Sequence, residues 1–215
     1  MNKHFTGCFL LLLILGGSIQ AQTTFSPAEV STFGPVVVQA PVILDSVNLS
    51  DKPYSDELLL STAINFPAPE RFTGRAEPDT TGYFRLLRPV KGNAFQLVSF
   101  HLSGNCYGKG RITVTSPNPL ELWIDNVKRA TKHAADDSLH LAGSVDAVLN
   151  GFINNSRVVV KMLTSSDDHN DAMVKIDVKP EEADSLLVYR FNRQAKRRID
   201  IKDILEGKRV SSSSI

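Results

Sequence analysis

The sequence has few cysteines, few aromatic side chains and almost no net charge. Two cysteines in 215 residues exclude a small scaffold held together by several disulfides. A formal net charge of +1 excludes the strongly basic surface that a dedicated nucleic-acid binder needs. With 42% hydrophobic and 22% charged residues, the chain is too apolar for a disordered protein and long enough for one packed domain.

The apolar run at residues 8–15 is too short to cross a membrane as a helix, and no later stretch is apolar enough to do so. It follows a lysine and precedes two glycines, and Ala21 supplies the small residue expected before a cleavage site. Residues 1–21 therefore predict a cleaved secretory signal, so that we expect a periplasmic, cell-surface or secreted protein. Removing them leaves one cysteine, Cys106, which we expect to be a small buried residue at a strand end.

Alternation of apolar and polar residues dominates the remaining chain and predicts β-strands. Strands with one solvated side are predicted at 111–115, 120–125 and 172–179. Segments that are apolar on both sides predict central strands at 36–38, 42–49, 95–102 and 157–163. Further strands are predicted at 83–87 and 185–191, and residues 58–64 fit either a strand or a helix.

The turn signals and the spacing of these strands favour an all-β fold, an antiparallel β-sandwich that is jelly-roll-like. Asp125-Asn126 is typical of a tight hairpin, because both residue types tolerate a positive φ. We predict a flexible lead-in at 22–34 and the sandwich domain at 35–192. Residues 193–215 predict a short helical connector that ends in an interrupted strand.

The motifs of catalytic and nucleotide-binding sites are missing from the sequence. The string nearest to G-x-S-x-G, at 142–146, lacks the second glycine, and neither H-E-x-x-H nor C-x-x-C occurs. The glycines at 104–110 lack the G-K-[ST] ending of a phosphate-binding loop. We therefore expect no catalytic residues, no enzyme activity and no cofactor.

The acidic loop at 165–171 is the strongest place to look for a metal site. Asp167, Asp168 and Asp171 are oxygen ligands at short spacing, which a calcium ion would accept. The loop lacks the D-x-[DN]-x-[DN]-G order of a calcium-binding loop, and hairpin loops are commonly acidic. The expectation is that no metal is bound, with these three aspartates as weak candidates.

Carbohydrate binding requires exposed aromatic rings that face the apolar side of a sugar, together with a polar rim. Trp123 alternates away from Leu122 and Ile124, and Asp125 and Asn126 follow it in the hairpin. These three residues, Trp123, Asp125 and Asn126, are therefore the candidate binding site. The alternative for Trp123 is a second buried layer or an interface with another domain.

Two stretches resemble known families. Residues 112–132, ITVTSPNPLELWIDNVKRATK, resemble the hairpin of galactose-binding-like and PA14-like jelly rolls. Residues 198–215, RIDIKDILEGKRVSSSSI, resemble the entry to the β-propeller of exported bacterial S9-family (prolyl oligopeptidase-like) serine peptidases. The second resemblance extends over the whole chain, which is similar to the N-terminal region of those enzymes.

The resemblance to these peptidases implies a non-catalytic accessory domain, as a fragment of such an enzyme that lacks the propeller and the catalytic domain. Because the triad residues would lie in the missing part, no catalytic residue is carried over to this chain. The implied partner is the β-propeller or catalytic domain of a peptidase, and the implied role is domain packing or substrate access. The alternative function is a carbohydrate-binding module of an exported protein, with a surface glycan as its partner.

Overall fold

The computed structural model describes residues 23–38, 54–135, 142–167, 171–181 and 186–193. In these ranges the helix α1 spans Asp56–Ser61 and a single 3-10 turn spans Pro69–Arg71. The strands are β1 (Val30–Val37), β2 (Gly74–Ala76), β3 (Phe84–Arg85), β4 (Asn93–Gly104), β5 (Gly108–Thr115), β6 (Leu120–Ile124), β7 (Val127–Lys132), β8 (Ser144–Gly151), β9 (Ser156–Ser165), β10 (Met173–Pro180) and β11 (Tyr189–Asn192).

The strands form two antiparallel sheets. The larger sheet has the order β2-β1-β4-β9-β6-β7, and β11 pairs with the end of β4. The smaller sheet has the order β3-β10-β5-β8. Each strand presents alternate residues to the two faces of its sheet, so that each sheet turns one apolar face inward. The prediction of an all-β antiparallel sandwich is confirmed.

One hydrophobic core lies between the two sheets. Phe100 of β4 and Val160 of β9 enter it from the larger sheet, and Val114 of β5 and Ile176 of β10 enter it from the smaller one, all fully buried. Fully burying an apolar side chain of this size contributes about 1.5–3 kcal/mol. The described residues contain one cysteine, Cys106, which is half-buried and unpaired, so that packing rather than a disulfide stabilises them.

A third layer covers the outer face of the larger sheet. It consists of residues 54–73, called the covering segment below, which include α1 and the 3-10 turn. Its Leu59 and Leu60 form a second apolar cluster with Phe95 of β4 and Leu163 of β9. Because β4 and β9 are covered on both faces, their sequences are apolar on both sides, which confirms the prediction that they are central strands.

The N-terminal boundary of the sandwich differs from the sequence-based expectation of a flexible lead-in at 22–34. β1 begins at Val30, which is fully buried in the core. Phe25 also pairs with Val178 of β10 through backbone hydrogen bonds of 2.8 and 2.7 Å. Gly34 and Pro35, which suggest a break in the sequence, lie at a shift in the register between β1 and β4 and interrupt the pairing only locally.

Other elements also differ from the prediction or lie outside the described residues. The ambiguous stretch 58–64 begins as helix α1, and the pattern missed β8. The prediction of a solvated side for 120–125 is wrong at Glu121, which is buried beneath the covering segment. The predicted signal at 1–21, the predicted strand at 42–49 and, apart from Arg193, the predicted connector at 193–215 lie outside the described residues.

Within the part of the chain that the structure describes, no helix has the length and hydropathy needed to cross a membrane.

Candidate functional site

Trp123 lies on the outer side of β6, as the alternation of residues predicts. Its ring meets Phe66 of the covering segment edge to face, with 5.0 Å between the ring centroids. The indole N–H donates a hydrogen bond to the Glu121 carboxylate at 3.2 Å. The structure therefore places Trp123, which is half-buried, beneath the covering segment. This position corresponds to the second buried layer that the sequence analysis gave as the alternative to an exposed sugar-binding surface.

A buried ion pair beside Trp123 joins β9 to β6. The side chains of Lys161 and Glu121 are 3% and 4% exposed, and Lys161 Nζ lies 3.3 Å from Glu121 Oε2. The same ammonium group donates to the backbone carbonyls of Leu60 and Thr62 in the covering segment. Burial lowers the pKa of Lys161, and the Glu121 carboxylate opposes this shift. Lys161 therefore uses one donor to bind Glu121 on β6 and two to attach the covering segment to the sheet.

Asp125 and Asn126 form the turn between β6 and β7. Both have a positive φ, 51° and 63°, which confirms the predicted tight hairpin. The Asp125 carboxylate accepts a hydrogen bond of 2.8 Å from the backbone N–H of Arg157, and the Asp125 N–H donates to the Arg157 carbonyl at 2.8 Å. The Asp125 side chain therefore joins the turn to the start of β9.

The aspartates considered as metal ligands have other partners in the structure. Asp171 accepts hydrogen bonds from Arg85 at 2.9 Å and from Arg88 at 3.1 Å. Asp167 accepts one from the Ser166 hydroxyl at 3.0 Å, and Asp168 lies outside the described residues. In the described ranges, no three His, Cys, Asp or Glu side chains are grouped closely enough to hold a metal ion.

A cluster of exposed apolar side chains lies at the end of the sandwich where β4 leads into β5. Tyr107 is 73% exposed, Phe152 60%, Leu186 83% and Val188 40%, and these four residues are called the apolar tip below. The Tyr107 ring lies over Gly151, so that a Cβ added to this glycine would be 3.7 Å from Tyr107 Cε2. Phe152 is the next residue along the chain, and the two aromatic residues therefore flank the first pair of β5 and β8, Gly108 and Gly151.

The loops that carry the apolar tip are anchored by buried neighbours. Ile153 and Leu187, each adjacent in sequence to an exposed tip residue, enter the hydrophobic core. The side-chain amide of Asn105 donates to the Leu186 carbonyl at 3.1 Å and accepts from the Val188 N–H at 2.8 Å. These contacts hold the exposed side chains on a defined backbone.

The outer face of the smaller sheet is solvent-accessible, in contrast with that of the larger sheet. This surface, called the open face below, is formed by alternate residues of three strands: Lys109, Arg111, Thr113, Ser144, Asp146, Val148, Asn150, Lys175, Asp177 and Lys179. Asp146 accepts hydrogen bonds from the Thr113 hydroxyl at 2.6 Å and from Arg111 Nη1 at 3.5 Å. Val148 lies directly opposite Arg111 and is 61% exposed.

An open groove of about 700 Å³ lies elsewhere, between the start of β1, β2 and the end of β11. Its lining residues are Ala28, Glu29, Arg75, Glu77, Phe191, Asn192 and Arg193. Arg75 forms ion pairs with Glu29 and Glu77, each at 2.7 Å. None of the residues predicted as binding candidates lines this groove.

The surroundings of His101 and Asp79 also lower the pKa values of these two side chains. His101 is 4% exposed on the covered side of β4, and burial together with the nearby Arg157 lowers its pKa. Asp79 accepts hydrogen bonds from the Thr81 hydroxyl at 2.6 Å and from the Tyr83 N–H at 3.1 Å. These bonds lower the pKa of Asp79 to about 2 and stabilise the turn before β3.

No protein-family model and no curated protein matches this chain. Among solved structures, the chain is similar to a PA14 sugar-binding domain from an RTX adhesin, with 11% identity and a TM-score of 0.35. That match covers 50% of this chain and 56% of the adhesin chain. A second structure, KdgF from Halomonas sp., is 12% identical with a TM-score of 0.20, over 52% of this chain and 89% of that one.

At these TM-scores neither similarity carries an argument about the fold or the function. Nothing in the comparisons supports the resemblance to prolyl oligopeptidase-like peptidases. Residues 198–215, which carry that resemblance, lie outside the described residues.

Proposed function

We propose that this protein is an exported, non-catalytic carbohydrate-binding β-sandwich whose binding site is the apolar tip. The observation that carries the proposal is the exposure of two aromatic side chains that flank the paired strands β5 and β8, with Tyr107 just before β5 at 73% and Phe152 just after β8 at 60%. Sugars present an apolar C–H face, and the face of an aromatic ring is its complement. The proposed site is therefore not at Trp123, which packs against Phe66, but at the end of the sandwich where β4 leads into β5.

The construction of the tip supports a binding role. Isolated exposed apolar residues are ordinary, whereas several at one end of a sandwich favour an interaction site there. The tip backbone is anchored by Ile153, Leu187 and the Asn105 amide, so that binding would require little ordering of the loops. The polar residues Lys109 and Asn150, which pair across β5 and β8, adjoin the aromatic pair and supply a rim.

The remaining parts of the proposal come from the sequence. The signal-like residues 1–21 support export, and the missing hydrolase and metal-site motifs support a role without catalysis. The proposed partner is therefore a glycan outside the cytoplasm. No observation favours the other predicted role, packing against the propeller of a peptidase.

The test is binding of the purified protein to immobilised cellulose, xylan, chitin and starch, and to phospholipid vesicles. Tyr107→Ala and Phe152→Ala are each expected to weaken glycan binding about two- to tenfold, the range for loss of one aromatic contact. Because both side chains are exposed, neither change should alter the melting temperature by more than a few degrees.

Leu87→Ala is the matched control. Leu87 is 74% exposed and lies at the opposite end of the sandwich, between β3 and β4. It should leave glycan binding unchanged. Equal effects of the three substitutions would contradict the proposal, as would binding to vesicles with no binding to any glycan.

A further inference from the structure

We propose that protonation of His101 releases residues 66–73 of the covering segment from the larger sheet and exposes Trp123, so that the outer face of this sheet opens in mild acid. This switch goes beyond carbohydrate binding at the apolar tip and does not depend on it. It rests on the contacts of Arg157, the residue of β9 that lies directly opposite His101 of β4 in the register of the sheet.

Arg157 attaches the second half of the covering segment to the sheet. Its Nη2 donates a hydrogen bond of 2.8 Å to the Pro67 carbonyl. Its guanidinium lies 5.3 Å from the centroid of the Phe72 ring, which is within the range of a cation–π contact. Glu70, in the 3-10 turn between these two positions, adds a negative charge that favours the guanidinium. One cation therefore binds the segment on both sides of its 3-10 turn.

His101 is buried beside this cation, and one of its ring nitrogens is unpaired. The residue is 4% exposed, and its ring donates a hydrogen bond to the Arg193 backbone carbonyl. Its Nδ1 is buried and has no hydrogen-bond partner among the described residues, and the same is true of Arg157 Nε. A proton on Nδ1 would therefore place a second buried charge beside an existing cation.

The surroundings of His101 oppose this proton. Side chains directly opposite each other in an antiparallel pair lie about 4.5–5.5 Å apart at Cβ, and like charges at such positions are destabilising. Arg157 supplies the like charge from β9, whereas Asp125 in the β6–β7 turn and the Arg193 carbonyl favour the protonated ring. Burial and Arg157 outweigh these two groups, and the pKa of His101 is lowered.

This balance couples protonation to release. A histidine that is open to solvent has a pKa of about 6.5, whereas the pKa of His101 in the attached state lies lower. The contribution of His101 to the attachment is therefore present above about pH 6.5 and is lost as the pH falls toward the lower value. Since the Arg193 carbonyl holds the imidazole, the guanidinium separates from the new charge by leaving Pro67 and Phe72.

Trp123, the single tryptophan of the chain, reports this release. It packs against Phe66, the residue before Pro67, with 5.0 Å between the ring centroids. The helix α1 keeps a separate attachment, because Leu60 lies in the second apolar cluster and its carbonyl accepts a hydrogen bond from Lys161. Release of residues 66–73 therefore removes Phe66 from Trp123 while α1 stays on the sheet.

The experiment follows hydrogen exchange by mass spectrometry, corrected for its intrinsic pH dependence, and acrylamide quenching of Trp123 fluorescence between pH 7.5 and pH 5.5. In the attached state the amides of residues 71–73 donate to carbonyls within the segment. Their protection in the wild type should fall about three- to tenfold from pH 6.5 to pH 5.5, and quenching should rise over the same range. Peptides from α1, β4 and β9 should keep their protection.

Two variants, His101→Gln and His101→Asn, remove the group that titrates and keep a donor for the Arg193 carbonyl. Neither amide side chain is protonated in this pH range, so both variants should keep the protection of residues 71–73 and the quenching constant across it. His133→Gln is the matched control, since His133 Nδ1 lies 3.5 Å from Glu57 of α1 and the side chain is 60% exposed. It should behave like the wild type.

Constant protection of residues 71–73 in the wild type between pH 7.5 and pH 5.5 would overturn the switch, whether or not either His101 variant folds. An equal loss of protection in β4 and β9 would also overturn it, because the whole domain would then be unfolding. The same acid response in His101→Gln, or its disappearance in His133→Gln, would show that another group controls the release. Glycan binding at the apolar tip is measured separately, and neither result decides the other.

Discussion

Replacing Lys161 by methionine tests how much a buried ion pair contributes to this fold. Lys161 and Lys128 bind the same Glu121 carboxylate at 3.3 and 3.2 Å, but their side chains are 3% and 48% exposed. The two lysines therefore share one carboxylate, and they differ in burial and in the hydrogen bonds that Lys161 donates to Leu60 and Thr62. Methionine keeps the length of the side chain and removes its charge and its donors.

The expected magnitudes follow from what each substitution leaves behind. Lys161→Met leaves Glu121 with a single cationic partner and removes the donor from the carbonyls of Leu60 and Thr62. Removing one member of a buried ion pair costs about 3–5 kcal/mol. Lys128→Met removes a half-exposed partner, for which about 0–1 kcal/mol is typical.

The assay is urea and thermal unfolding followed by circular dichroism. For a domain of this size Lys161→Met should lower the melting temperature by about 6–20 °C, and Lys128→Met by no more than about 4 °C. Limited proteolysis of Lys161→Met should cut first within residues 54–73, because the covering segment loses its polar attachment. Equal small losses for the two variants, with no new cleavage there, would refute the assigned role of Lys161.

The remaining predictions concern pH. The pKa of His101 is lowered in the folded state, so its contribution to stability is present above about pH 6.5 and is lost as the pH falls toward the folded value. His101→Gln should flatten the fall of the urea midpoint between pH 7.5 and 5, and identical slopes in both proteins would count against this. Asp79, with a pKa of about 2, contributes stability above about pH 3.9 that is lost as the pH falls toward 2. Asp79→Asn should therefore unfold at lower urea than the wild type at pH 5, and the difference should shrink at pH 2.5.

Many of the strands could be predicted because they depend on the pattern of apolar and polar residues at neighbouring positions in the sequence. The patterns at 95–102 and 157–163 are apolar on both sides, and β4 and β9 are indeed covered on both faces. The Asp125-Asn126 turn could be predicted from two residues that tolerate a positive φ. β8 was harder to predict because the outward-facing Val148 breaks its alternation of apolar and polar residues, and cross-strand pairing with β5 stabilises it.

The type of side chain in the candidate site could be predicted from the sequence, but its position in the fold could not. The requirement for an exposed aromatic ring is general, and Trp123 satisfies the alternation rule for an outward-facing residue. Its exposure, however, depends on Phe66, which is distant in the sequence and lies against it in the fold. Tyr107 lies in a glycine-rich turn and Phe152 follows Gly151. The local sequence at neither position predicts which residues lie next to the side chain in the fold.

The sequence by itself determined the fold class, the central strands and the hairpin at Asp125, because each depends on residues a few positions apart. Only the tertiary structure decided which outer face is buried and which is open. Leu60 and Lys161 meet across 101 positions of sequence, and Tyr107, in the turn before β5, lies beside Gly151 of β8. Exposure depends on such long-range contacts, and so it is the tertiary structure that directs the search for a binding site to Tyr107 and Phe152.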